Sequence, residues 1–123
     1  MRIVGGSLRG RRLDAPAGRD TRPTSDRARE SLFNVLVHHD WGIEALDGGQ
    51  VLDGFCGSGA LGLEAASRGA AGVVLMDTAA AALACARANI AALGLGEVAR
   101  ALRADVSVSY THLRAHETIA LIS

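Results

Sequence analysis

The glycine-rich stretch at residues 51–62, VLDGFCGSGALG, restricts the fold more than any other part of the sequence. Its glycines Gly57, Gly59 and Gly62 have the G-x-G-x-x-G spacing that joins a strand to a helix in dinucleotide-binding folds. Glycine at these positions allows a ligand to approach the main chain, where the N–H groups of the turn point outwards. A tight turn without a ligand is the alternative explanation for a single match of this kind.

Strands and helices are predicted to alternate from this stretch onwards. Short apolar segments indicate strands, and longer alanine-rich segments that end at a glycine indicate helices. In chain order the predicted elements are a strand at 50–53, a helix at 60–68, a strand at 72–76, a helix at 79–93 and a strand at 98–104. Such alternation is typical of parallel βαβ units with right-handed crossovers, so the predicted fold class is α/β and Rossmann-like.

The segment before the glycine-rich stretch is predicted to form a hairpin, a loop and a helix. Residues 1–16 combine short apolar segments with glycines, and residues 17–23 are predicted to form a loop. Candidate N-caps follow at residues 24–26, and one apolar helical face then continues to about residue 40. The members of that face are Ala28, Leu32, Phe33, Leu36 and Val37.

Aspartates come at the ends of three predicted strands, at Asp53, Asp77 and Asp105. Asp53, directly before the glycine loop, would repel a pyrophosphate and suits a cationic group such as an amine or a sulfonium. Asp77 lies 24 residues later, close to the spacing expected for a carboxylate that holds ribose hydroxyls. Asp105 is placed to reach an adenine edge. Together they favour S-adenosylmethionine as the ligand, although each aspartate alone is also explained by a solvated strand end.

Charge is distributed unevenly along the chain. All 13 basic residues are arginines, and the formal net charge is zero. Residues 1–30 contain eight arginines and four acidic residues, whereas the remaining 93 residues contain five arginines and nine acidic residues. Clustered arginines favour contact with a polyanion. A GC-rich genome is the alternative explanation, which accounts for the choice of arginine over lysine but not for the clustering.

Length and composition limit the chain to one globular domain. With 123 residues, 49% of them hydrophobic, it is long enough for one core and too short for two domains. No apolar run approaches the roughly 18 residues of a membrane span, so we expect no membrane contact. Cys56 and Cys85 do not make a disulfide framework, which favours a cytoplasmic protein.

Three stretches of the sequence, in order along the chain, are similar to the RsmD-type bacterial methyltransferases, which methylate a guanine N2 in small-subunit (16S) ribosomal RNA. They are RIVGGSLRGRRL at 2–13, TRPTSDRARESLFN at 21–34 and DGFCGSGALGLEAASRGA at 53–70. Gly54 and Cys56 depart mildly from the family's cofactor loop, and Asp77 stands where the family more often has glutamate. The resemblance extends from Arg2 to about Val106 and implies a methyltransferase fold truncated after about three core strands.

The resemblance also implies which residues bind the cofactor and the RNA. Those assigned to S-adenosylmethionine are Arg22, Pro23, Thr24, Asp53, Gly57, Ser58, Gly59, Asp77 and Asp105. Those assigned to RNA phosphates are Arg9, Arg11 and Arg12. The implied partner is 16S ribosomal RNA or the assembling small subunit, with no metal and a monomeric full-length protein. The protein would mainly orient the target amine for in-line transfer, with the base exposed or flipped out.

The family's catalytic motif, Asp/Asn-Pro-Pro-Phe/Tyr, is missing from this sequence, whose only prolines are Pro16 and Pro23. Residues 107–118 instead resemble a translated sequencing adapter, so His112 and His116 are not interpreted as a metal pair. We expect the native protein to end here at about residue 106, and the tail to add no apolar strand to the sheet. The predicted organisation is an arginine-rich hairpin and loop at 1–23, a partial methyltransferase domain at 24–106 and a non-native tail at 107–123.

The leading interpretation is the amino-terminal part of an S-adenosylmethionine-dependent rRNA guanine-N2 methyltransferase. The chain by itself is predicted to be inactive because the catalytic motif is missing. One alternative is a fragment of an NAD-type dinucleotide-binding oxidoreductase, which the charge of Asp53 disfavours. A second alternative is a non-catalytic RNA-binding module.

Overall fold

A computed structural model describes residues 1–15, 26–38, 47–54, 56–103 and 118–122. The described helices and strands alternate along the chain, as the sequence predicts. In chain order they are α1 (Asp26–His38), β1 (Gln50–Gly54), α2 (Ala60–Ser67), β2 (Gly72–Asp77), α3 (Ala80–Ala92), β3 (Ala99–Arg103) and β4 (Thr118–Ile122). Their ends differ from the predicted ones by a residue or two. The predicted α/β class is confirmed.

The described strands form one parallel sheet in the order β3-β2-β1-β4. Residues in register across it include Asp53 with Leu75 and Asp77 with Arg103. The helices α2 and α3 make the crossovers from β1 to β2 and from β2 to β3. All four strands run in the same direction, so their carboxyl ends lie along a single edge of the sheet.

The expectation that the tail adds no strand is wrong. β4 pairs in parallel with β1, from Gln50 opposite Thr118 to Gly54 opposite Ile122. The free side of β1 carries main-chain N–H and C=O groups that need partners, and the segment TIALI consists mainly of apolar and β-branched residues that suit a strand. The residues that connect β3 to β4 lie outside the described part of the chain.

The core lies between one face of the sheet and the helices α2 and α3. Residues in register on that face, such as Val51, Val73 and Ala99, belong to the same buried cluster as Leu63 and Ala86 of the two helices. Alanines on the buried side of α3 allow the helix to approach the sheet closely. Within the described chain, no helix is long and apolar enough to cross a membrane.

The amino-terminal residues form a small antiparallel hairpin rather than two extended strands. Arg2 and Arg12 make a single bridge, and the N–H groups of Ile3 and Leu13 donate to the carbonyls of Arg11 and Met1, each at 2.9 Å. The side chains of Ile3 and Leu13 are buried in the core. The hairpin is therefore docked on the domain and is not an independent arm.

The buried face of α1 differs from the predicted one. Phe33 is fully buried as expected, but the residue buried beside it is Arg29, whereas Ala28 is exposed and Leu32 is 37% exposed. The side chains of residues 36–38 lie outside the described set. The spacing of apolar residues did not predict this buried face, because an arginine is expected at the surface.

The third glycine of the G-x-G-x-x-G stretch is required by packing. A Cβ atom at Gly62 would lie 2.9 Å from Cγ1 of Val73, 3.2 Å from Cβ of Asp53 and closer still to Leu75. These neighbours belong to the buried strands β1 and β2 and have little room to move. Gly62 therefore sets how closely α2 packs on the sheet.

We expect Gly62→Ala to destabilise the fold, although alanine is the better helix former by about 1 kcal/mol. Overpacking in a dense core typically costs about 1–3 kcal/mol, which exceeds that gain. Thermal unfolding followed by circular dichroism measures the effect. Gly96→Ala is the matched control because a Cβ there meets nothing within 4 Å. Equal melting temperatures for the two variants would contradict the packing role of Gly62.

Candidate cofactor site

The candidate site lies at the edge where β1 and β2 end. Asp53 is the penultimate residue of β1 and Asp77 is the final residue of β2, so adjacent parallel strands bring the two aspartates to the same edge. This is the edge at which open α/β sheets bind their ligands. The structure thus brings together two of the acidic residues that the sequence singled out.

The glycine loop between β1 and α2 is held by its own main chain. The Cys56 N–H donates to the Met76 carbonyl at 2.8 Å, and the Gly59 N–H donates to the Cys56 carbonyl at 2.8 Å. Gly57 and Gly59 have φ angles of 54° and 84°, in the left-handed region that side chains disfavour. The first two glycines of the stretch are therefore needed for the turn itself.

The Asp77 carboxylate connects the glycine loop to the start of α3. Its Oδ2 accepts a hydrogen bond from the Gly57 N–H at 3.1 Å, and its Oδ1 accepts one from the Ala79 N–H at 2.9 Å. The side chain is partly exposed. An ionised carboxylate offers about four lone-pair positions, so Asp77 can accept further hydrogen bonds from a ligand while it holds the loop.

The Asp53 carboxylate lies beneath the loop and is fully buried. Its Oδ2 accepts a hydrogen bond from the Gly62 N–H at 3.0 Å, in the first turn of α2. The N-cap residue of this helix, Gly59, provides no side-chain cap, so Asp53 takes that role and lies near the positive end of the helix dipole. That Asp53 also faces the methionine end of a cofactor stays a prediction.

The two carboxylates make this edge electrostatically negative. Burial, together with the charges of Asp53 and Asp77, raises the pKa of the Cys56 thiol to about 12. The thiol therefore stays protonated at neutral pH and is not a nucleophile. The same field favours a cationic ligand group and opposes an anionic one.

Asn89 of α3 is a residue at this site that sequence reasoning missed. Its side chain is buried and donates to the Ser58 carbonyl at 2.8 Å. It also donates to the Asp14 carbonyl at 2.9 Å and accepts from the Asp14 N–H at 2.8 Å. The signal in the sequence was a single polar residue on the apolar side of an alanine-rich helix.

Glu64 of α2 is a second residue that sequence reasoning missed. Its buried carboxylate accepts hydrogen bonds from the N–H groups of Val4 and Gly5 and from Nε of Arg68, each at 2.9 Å. Nε of Arg29 lies 3.7 Å away. This cluster holds the hairpin and α1 against the helix that follows the glycine loop.

Asp26 connects α1 to the hairpin from the other side. Its Oδ1 accepts hydrogen bonds from the Arg2 N–H and from the Arg29 guanidinium. Burial alone would raise the pKa of Asp26, but these two hydrogen bonds and the charge of Arg29 outweigh it and lower the pKa. Asp26 is thus ionised and holds the start of α1 against the hairpin.

The hairpin presents the arginines that the sequence assigned to RNA. Arg9, Arg11 and Arg12 are all exposed. Arg11 also donates through Nη2 to the Ala92 carbonyl at 2.7 Å, at the last residue of α3, where the helix dipole favours a cation. Arg9 and Arg12 present their charge to solvent.

Several predicted site residues lie outside the part of the chain that the structure describes. Arg22, Pro23, Thr24 and Asp105 lie outside the described residues, as do His112 and His116. Ser58 lies in the described part and is buried, and its carbonyl accepts a hydrogen bond from the Asn89 side chain. In the described ranges, no group of three or more His, Cys, Asp or Glu side chains is arranged to hold a metal ion.

Comparison with known proteins decides the family. A family model described as conserved hypothetical protein 95 matches residues 1–123. The chain belongs to this family. A Bacillus subtilis protein with the provisional name rRNA methyltransferase YlbH is 41% identical over 105 residues, which are 85% of this chain and 54% of that protein. Ribosomal RNA small subunit methyltransferase D of Escherichia coli is 51% identical over 77 residues, which are 63% of this chain and 36% of that protein.

The solved structures agree with this family assignment. A structure from Escherichia coli, provisionally named methyltransferase yhhF, aligns with a TM-score of 0.72 and 43% identity over 89% of this chain and 55% of that one. The resemblance to the RsmD-type methyltransferases is thereby confirmed. The matched residues span about half the length of the Bacillus subtilis protein and of the Escherichia coli structure.

Proposed function

We propose that the chain binds S-adenosylmethionine at the edge formed by β1 and β2, as the amino-terminal part of an enzyme that methylates a guanine N2 in 16S ribosomal RNA. The observation that carries the proposal is the pair of carboxylates at this edge, Asp77 bound to the Gly57 N–H of the glycine loop and Asp53 bound to the Gly62 N–H of the helix that follows it. The names of the relatives support the reaction class, since they are rRNA methyltransferases.

The charge at this edge supports S-adenosylmethionine over a dinucleotide. The cofactor carries a sulfonium and an amine and has no phosphate, whereas NAD would place a pyrophosphate on the loop. With Asp53 and Asp77 at the edge, a pyrophosphate would meet two negative charges.

In this proposal the aspartates that hold the glycine loop and the start of α2 also act on the cofactor. Asp77 accepts hydrogen bonds from the ribose hydroxyls, and Asp53 with residues 57–59 faces the methionine end. The residues outside the described part keep their proposed roles, which are Arg22, Pro23 and Thr24 at the pocket and Asp105 at the adenine. Bound there, the cofactor supplies a methyl group already activated as a sulfonium, and the protein supplies position and charge.

The partner in this proposal is 16S ribosomal RNA or the assembling small subunit, in the cytoplasm, with a monomeric full-length protein and no metal. The exposed arginines of the hairpin support an RNA contact because phosphates are bound mainly through such side chains. A non-catalytic RNA-binding module would present the same arginine surface. The affinity for S-adenosylmethionine distinguishes that alternative from the methyltransferase.

Asp77→Ala should weaken binding of S-adenosylmethionine by about 1.5–3 kcal/mol, the cost of losing a hydrogen bond to a charged group. Asp77→Glu should retain most of the affinity, because the carboxylate is kept. Isothermal titration calorimetry measures both, and NAD titrated in parallel tests the alternative. The control is Asp47→Ala, which removes an exposed carboxylate in a turn. Unchanged affinity in Asp77→Ala, or tighter binding of NAD, would contradict the proposed site.

Replacing Arg9, Arg11 and Arg12 together by glutamine should weaken RNA binding and flatten its salt dependence. Each lost phosphate contact lowers the slope of log K against log salt by about 0.7 for single-stranded nucleic acid. Fluorescence anisotropy with labelled 16S RNA fragments over a salt series gives this slope. The control replaces the equally exposed Arg27, Arg87 and Arg100. The same slope in both triple variants would show that the hairpin is not the RNA surface.

We further propose that this 123-residue chain transfers no methyl group by itself. The sequence has no Asp/Asn-Pro-Pro-Phe/Tyr motif to orient the target amine. Loss of such positioning raises the activation barrier by several kcal/mol. The purified chain is incubated with labelled S-adenosylmethionine and unmodified 16S RNA or small subunits, beside the full-length Escherichia coli relative as a positive control. Incorporation above the blank without protein would refute this proposal.

A further inference from the structure

The buried side chain of Asn89 connects the hairpin to the glycine loop. The residue lies in the last turns of α3 and is 2% exposed. Its two donor hydrogens go to the carbonyls of Asp14 and Ser58, and its Oδ1 accepts the N–H of Asp14. The side chain therefore bridges two main-chain segments that are 44 residues apart in the sequence.

The geometry demands asparagine in particular. The amide pairs with both main-chain groups of Asp14, at 2.8 and 2.9 Å, as a neighbouring strand would, and its other hydrogen holds Ser58. Aspartate has the same shape but no donor, so it would set a carboxylate against two carbonyl oxygens. Apolar replacements would leave the buried carbonyl of Ser58 without this hydrogen bond.

Each end of the bridge belongs to a segment with its own proposed ligand. Asp14 directly follows residues 11–13, the hairpin strand, which is the short segment that pairs with residues 1–3 and contains Arg11 and Arg12. Ser58 lies between the two glycines of the loop, and the peptide that it shares with Gly59 is fixed at both atoms, by Asn89 at the carbonyl and by the Cys56 carbonyl at the N–H. Displacement of the hairpin strand would therefore shift the hydrogen bond that orients the loop.

We propose that Asn89 is a positioning residue that couples RNA binding at the arginine hairpin to cofactor binding at the glycine loop. The inference rests on the function proposed above. RNA that holds the hairpin in place stabilises the Asp14–Asn89–Ser58 bridge, and through it the loop conformation that accepts the cofactor. Coupling of this kind is reciprocal, so the cofactor strengthens RNA binding by the same factor.

The test measures the affinity of the chain for S-adenosylhomocysteine with and without saturating 16S RNA transcript. The ratio of the two dissociation constants is the coupling factor, for which we expect about fivefold or more, at the lower end of known couplings. Asn89→Asp should bring this factor close to one. Asn34→Asp is the matched control, with the same replacement at an exposed position of α1, and should keep the factor of the parent chain. A structural role alone would lower stability without changing this ratio.

A second measurement needs no variant and covers the case in which Asn89→Asp fails to fold. Hydrogen exchange of the parent chain is followed by mass spectrometry while the 16S RNA transcript is added without cofactor. We expect slower exchange both at the hairpin strand and at residues 57–59. Protection confined to the hairpin would overturn the inference.

The remaining outcomes separate the inference from the proposed function. Binding of both ligands with an equal coupling factor in Asn89→Asp and in the parent would overturn the coupling role and leave the proposed function intact. Absence of S-adenosylhomocysteine binding in the parent chain would contradict the proposed function for this chain, and the coupling with it.

Discussion

The buried carboxylate of Glu64 is the interaction on which the arrangement of the amino-terminal half depends. A charge in the interior is stable only when it is paired and hydrogen-bonded, and Glu64 meets that demand with the hairpin amides of Val4 and Gly5 and with the guanidinium of Arg68. Arg68 in turn lies 4.9 Å from the ring centre of Phe33, on α1. The hairpin, α1 and α2 are thus arranged around one negative charge, and the glycine loop precedes the helix that carries it.

Much of the fold was predictable because its signals are local. The glycine stretch, the apolar strands and the glycines that end the helices place β1 to β3 and their two helices within a residue or two. The buried face of α1 was not predictable, because Arg29 is buried only through partners that are distant in the sequence, such as Glu64. The pairing of β4 with β1 likewise depends on which segment meets an open edge, and residue type alone does not decide that.

Only part of the candidate site could likewise be predicted from the sequence. Asp53, Asp77 and the glycines could be identified from spacing, since strand ends fix where their side chains lie. The partners of these residues could not, because Asp53 caps α2 and Asn89 holds Ser58 through contacts that only the folded chain creates. Sequence patterns therefore locate the edge where a ligand would bind, whereas the network that supports that edge becomes visible only in three dimensions.

The contacts that dock the hairpin also determine at which stage of folding the hairpin can dock. Val4 meets Glu64 across 60 residues of chain, and Asp14 meets Asn89 across 75. Closing such long loops is entropically costly, whereas β1, α2 and β2 are neighbours in sequence and can associate early. The hairpin residues are therefore among the last to reach their final place. Until α3 has been synthesised, Asp14 lacks its partner Asn89 and the arginine-rich hairpin is incompletely docked, beside the same class of nucleic acid that it is proposed to bind.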